Sequence, residues 1–245
     1  MARYQDIDRV LRNWAYEPGE VGARLVRASD GRQVLQMRVE MGLLQLETDA
    51  RPDGSRPGGA DTYFDYLLGL SLHEDEDFEL TTEQCEAADR EFLQFYHRRI
   101  CWLALREFTR AVRDADHTLG LMDFVRAHSP DEEWTLSHEQ YRPFVLFHRT
   151  QAATLAALEE TGPEAALEEL QRGLEQFRRL FVQYDAEEQF DDDELVQRLI
   201  ELKDTLREQY NIKPSLSEQL AEAVAAEEYE RAAKIRDELS RRTRR

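Results

Sequence analysis

Asp114, Asp116 and His117 come nearest to chemistry in this chain. Asp114 and His117 stand three apart, so on a helix they share a face, and a carboxylate beside an imidazole can move a proton. A salt-linked surface pair is the commoner use of that spacing and is the favoured reading. His97 and Cys101 stand four apart and offer two metal ligands on one helical face. Two ligands do not make a site, and no Cys-x-x-Cys extends them, so core or groove lining is favoured. His73, His128, His138 and His148 are scattered, and Trp102 and Trp134 read as packing or groove aromatics. The patterns Gly-x-Ser-x-Gly, His-Glu-x-x-His and Gly-x-Gly-x-x-Gly are absent. The expectation is a protein without catalytic residues, metal or cofactor, and not an enzyme.

Two further stretches invite a ligand reading. Asp49–Gly59 is DARPDGSRPGG, a loop whose backbone amides could cradle an anion. It lacks the lysine and the glycine spacing of a phosphate loop, so a plain connector is favoured. Asp185–Glu194 is DAEEQFDDDE. Its carboxylates fall where a helix begins and suit the positive end of the helix dipole. The EF-hand spacing is missing, so a solvated helix start is favoured over a cation site.

The net charge of -19 opposes binding to phosphate backbones by the body of the chain. Arg241, Arg242, Arg244 and Arg245 form the one basic cluster, and it reads as a solubilising helix end. No apolar run approaches the roughly 20 residues of a membrane span. The opening MARYQDIDRVLRNW has no apolar signal core, which predicts no export and a cytoplasmic protein with Cys85 and Cys101 as free thiols.

The elements that must position these residues are mostly helical. Ile7, Val10, Leu11 and Trp14 mark a short helix within residues 3–16. Strands follow, Ala23–Ala28 and one starting near Leu35, joined through Ser29-Asp30-Gly31-Arg32, whose Asp-Gly pair favours a tight hairpin. Leu35, Met37, Val39 and Met41 alternate, then the phase slips at Gly42, which suggests a bulge or bend. One sheet face is apolar and needs a helical cover. Asp61 is a candidate cap for a helix holding Tyr63, Phe64, Tyr66 and Leu67, and 73–79 is an acidic linker. From Thr82 the chain is strongly helical, started either by Thr82 with Glu86 or by Thr81 with Gln84, the second at capping-box spacing. A turn near residue 106 splits one helix pair. Ser129–Trp134 is a break, and a second pair, 143–160 and 164–184, is joined by Thr161-Gly162-Pro163. EAALEELQRGLE resembles the second helix of a tetratricopeptide repeat, although Ala111 and Ala166 stand farther apart than the roughly 34 residues of that repeat. Leu195, Leu199, Leu202 and Leu206 make a seam on a helix from Glu194 to Tyr210. The fold class is mainly α. Residues 1–80 form an α+β unit with a small antiparallel β hairpin, 81–212 a helical-hairpin (tetratricopeptide-like) body, and 213–245 a C-terminal helical hairpin.

That last stretch carries the strongest pattern. Leu216, Leu220, Ala223 and Val224, then Tyr229, Ala232, Ala233, Ile235 and Leu239, form two short apolar stripes separated near Glu227-Glu228. Helices so close in sequence fold back on each other. The series Leu216, Leu220, Ala223, Glu227, Tyr229-Glu230, Ala232-Ala233, Arg236-Asp237 and Leu239 resembles the UVR motif, shared by excinuclease subunits B and C and by the activator of a bacterial protein arginine kinase. The helicase and nuclease motifs of the first two and the paired Cys-x-x-Cys sites of the third are absent. The resemblance implies a bacterial adaptor whose hairpin docks a protein partner. That partner would be a Clp-type unfoldase, an arginine kinase or another UVR protein, or, in the alternative reading, an excinuclease subunit served by a repair accessory factor. Leu216, Leu220, Ala223, Tyr229, Ala232, Ala233, Ile235 and Leu239 would then form the seam or docking face, with Glu230, Arg236 and Asp237 as polar contacts. Self-pairing of such hairpins also admits a homodimer.

Overall fold

The computed structural model describes residues 6–73, 78–214 and 216–243. They fall into two compact units, Met1–Leu199 and Ile200–Arg245.

The first unit opens with α1 (Asp8–Asn13) and a three-stranded antiparallel sheet, β1 (Ala23–Arg27), β2 (Gln33–Val39) and β3 (Gly42–Glu47), in the order β1-β2-β3. The phase slip at Gly42 is a turn and not a bulge within one strand. Val39 pairs with Gly42 across Glu40 and Met41, and Met41 is exposed at the tip. This register faces odd residues of β2 with even residues of β3, so Leu35 lies opposite Leu46 and Met37 opposite Leu44. Leu25 and Ala23 of β1 join the same face opposite Leu35 and Met37. Its cover is helical, as the apolar alternation requires. Leu35 and Leu46 share a buried cluster with Cys101, Trp102, Phe108, Ala111 and Ala152.

α2 (Tyr63–Ser71) begins at Thr62, whose hydroxyl accepts from the Asp65 amide. Asp61, the expected cap, instead pairs with Arg56 at 2.6 Å. The linker at 74–77 lies outside the described residues. α3 (Thr82–Ala104) starts with the capping box expected from sequence. The Thr81 amide donates to Gln84 Oε1 at 2.7 Å, and the Gln84 amide donates to Thr81 Oγ1 at 3.3 Å. α4 (Phe108–His128) returns antiparallel after a tight reversal. The expected break after Ser129 is brief, because Asp131 caps α5 (Glu132–Glu139) through the Glu133 amide.

α6 (Arg142–Glu160) and α7 (Pro163–Gln183) form the second pair, and α4 packs on α6. Gly162 adopts φ 126°, a conformation open to glycine, and Pro163 then supplies the first helical residue. The acidic run holds a 3-10 turn (Glu187–Asp192) that buries Phe190, and Asp193 accepts from the Leu195 and Val196 amides at the start of α8 (Glu194–Tyr210). The second unit holds the hairpin of α9 (Leu216–Ala225) and α10 (Tyr229–Thr243). No described helix is long and apolar enough to cross a membrane.

Candidate functional site

The cluster nearest to chemistry resolves into separate structural pairs, one of them fully buried. Asp114 is fully buried and accepts from Arg98 Nε and Nη2, each at 2.8 Å. Arg98 also donates to the carbonyls of Glu47 and Ala50, which ties the end of β3 to α3. His117 turns to another carboxylate: its Nε2 lies 2.9 Å from Glu91 Oε1, and its ring stacks on Phe95 with centroids 3.6 Å apart. Glu91 also accepts from the Tyr63 and Phe64 amides at 2.7 and 2.9 Å, serving the exposed donors at the start of α2. Arg51 of the proline-glycine loop reaches Glu91 at 3.1 Å and Ser55 at 2.8 Å. Asp116 faces elsewhere and pairs with Arg149. The triplet thus divides among three separate partners, two guanidinium groups and one carboxylate.

His97 and Cys101 gather no third ligand among the described residues. Cys101 is fully buried, and burial pushes its thiol up to about 12; burial likewise lowers His97. No group of three or more possible metal ligands gathers among the described residues.

Sequence reasoning missed Glu91, Arg98 and Arg99. The signal was present: Ala88, Glu91, Phe95, Arg98 and Trp102 share one buried phase of α3, at steps of three and four.

The hairpin separates the expected docking residues into two faces. Ala223, Ala232 and Ile235 are buried against one another, with Leu216 and Leu220 packed alongside. Two alanines at the crossing let the helices approach closely. The reversal needs a left-handed residue, and Glu227 supplies it at φ 56°; the Glu228 amide then closes the turn on the Ala223 carbonyl at 2.8 Å. Tyr229, Glu230, Ala233, Arg236 and Asp237 are exposed. At the helical step these five fall within an arc of about 120° on α10, beside the seam phase of Ala232 and Ile235. Tyr229 is 67% exposed at its head. Val224 is exposed rather than part of the seam. The side chain of Leu239 lies outside the described residues. Glu227, Glu228, Tyr229 and Glu230 with Arg231 and Lys234 line a shallow depression at the tip.

A family model described as UVR, UvrB/uvrC motif, matches residues 211–241. No curated protein and no solved structure matches the chain.

Proposed function

We propose that the chain is a non-enzymatic adaptor that docks a protein partner through its C-terminal hairpin. The observation that supports this most is the division of labour on α10. Ala232 and Ile235 close the hairpin on Ala223, yet Tyr229 and Ala233 stay outside with Glu230, Arg236 and Asp237 around them. An exposed aromatic rimmed by charges is the composition of an interface centre. A short helical pair is also marginal in isolation and gains by burying a second face. The favoured partners are a Clp-type unfoldase, an arginine kinase or another UVR protein, and pairing of two such hairpins would make a homodimer. A second reading, an accessory factor of excision repair bound to an excinuclease subunit, is favoured by the UvrB/uvrC description of the matched motif.

The test compares three chains with the wild type in affinity capture from native lysate with identification of the bound proteins. Tyr229→Ala should lose the partner while the far-UV helical signal is unchanged. Ile235→Asp should lose both the partner and the hairpin. A chain ending at Ile212 should lose the partner and keep the body folded. Capture by all three variants would refute the adaptor reading, and the identity of the captured protein separates proteolysis from repair.

A further inference from the structure

The first unit contains a groove of about 690 Å³ running along α3, a size within the usual range for small-molecule sites. Its walls are apolar: Phe92 and Tyr96 of α3, Met122 of α4, and Phe144 and Val145 of α6. From Asp89 at one end to Arg99 at the other it follows ten residue steps of helix, about 15 Å.

The two ends differ in charge. Asp89 is already engaged, with Trp134 Nε1 donating to it at 3.0 Å and His138 Nε2 lying 2.9 Å away. Arg99 is 1% exposed, donates from Nη1 to Thr118 at 3.0 Å, leaves Nε without a partner, and has no ion pair among the described residues. The nearby carboxylate of Asp114 is taken by both forks of the Arg98 guanidinium, and Glu91 is held by two amides, Arg51 and His117. Thr118 cannot supply charge, and it spends its own proton on the Asp114 carbonyl at 2.8 Å. A buried guanidinium without a carboxylate is costly to keep. Burial accordingly pushes Arg99 down to about 10, and burial first, then the positive charge of Arg99, hold the His148 imidazole down at about 4.

We infer that this groove binds an elongated apolar monocarboxylic acid, its carboxylate on Arg99 and its chain along Tyr96 and Phe92. The anion completes the unpaired guanidinium, the chain covers the aromatic wall, and Asp89 at the far end rejects a second carboxylate. The ligand is a free acid of low molecular weight; a polypeptide C-terminus shares the chemistry and is the competing source.

Calorimetric titration of the full chain tests this with decanoate, decanamide, the diacid sebacate, and a tetrapeptide ending in leucine with a free carboxylate. Decanoate should bind at least about tenfold more tightly than the amide and the diacid, since a desolvated charge pair carries that difference. Arg99→Met should remove the preference for the acid without lowering the melting temperature. Leu93→Asp, at a 56% exposed position on the groove's edge, leaves the core untouched and should weaken decanoate binding about tenfold. Equal binding of acid and amide, no binding of either, or an acid preference that survives both substitutions would overturn the inference. A tetrapeptide tighter than decanoate by tenfold would overturn it in favour of a polypeptide terminus.

Discussion

At the scale of single residues, the core of this protein is held by buried charges whose partners are far apart in sequence. Asp114 and Arg98 form the tightest such pair. Removing Asp114 leaves a desolvated guanidinium, so Asp114→Ala should cost about 3–5 kcal/mol of stability, and adding Arg98→Met should recover most of it. Urea denaturation of the single and double variants measures both. The histidines give a second expectation. Burial is the first cause lowering His97, His138 and His148, and for His148 the fall is from 6.5 to about 4. The folded chain refuses a proton that the unfolded chain accepts, so stability is complete above pH 6.5 and declines as pH falls towards 4. For His148 that decline is about 2–3 kcal/mol. Denaturation at pH 7 and pH 4.5 should show a shallower loss in His148→Gln than in the wild type.

At the scale of elements, α7 crosses α6 at Gly173 with no room for a side chain. A Cβ added at Gly173 would stand 2.8 Å from Thr150 Cβ and closer still to its methyl and hydroxyl. Both residues lie in buried positions. Gly173→Ala should therefore cost about 1–3 kcal/mol despite alanine's better helix propensity. Thr150→Ala introduced with it should restore part of the loss, which thermal melts can resolve. In the hairpin, element and partner separate cleanly. Ile235→Asp attacks the seam and should reduce helical content, whereas Tyr229→Ala should leave helical content as it is.

At the scale of the whole molecule, the charge of -19 sets what can approach. Titration with duplex DNA at about 50 mM salt, where phosphate contacts are strongest, should give no salt-sensitive complex. A chain ending at Ile212 retains the whole first unit and should melt at the wild-type temperature of that unit. A lowered transition would instead assign the hairpin a structural duty towards the body.

Local physics decided much of this protein from sequence alone. The mainly helical class, the Thr81-Gln84 box, the Gly162-Pro163 junction, the extent of α8 and the small antiparallel sheet each depend on neighbours within a few residues, and that range is what propensity and periodicity report. The C-terminal motif was legible for the same reason: its pattern is confined to one hairpin. Parity along a strand could not tell a bulge from a turn at Gly42, because both shift the alternation by one residue; only pairing of Val39 with Gly42 decides it. Asp61 is by composition a better cap than Thr62, yet it is Thr62 whose hydroxyl the Asp65 amide meets. Pairing Asp114 with Arg98, His117 with Glu91, and Arg99 with the Thr118 hydroxyl instead of a carboxylate needed α3 and α4 brought together. Side-chain contacts at sequence separations of 16, 26 and 19 residues have no periodic trace, so tertiary packing alone settled which charge met a charged partner and which met only a hydroxyl.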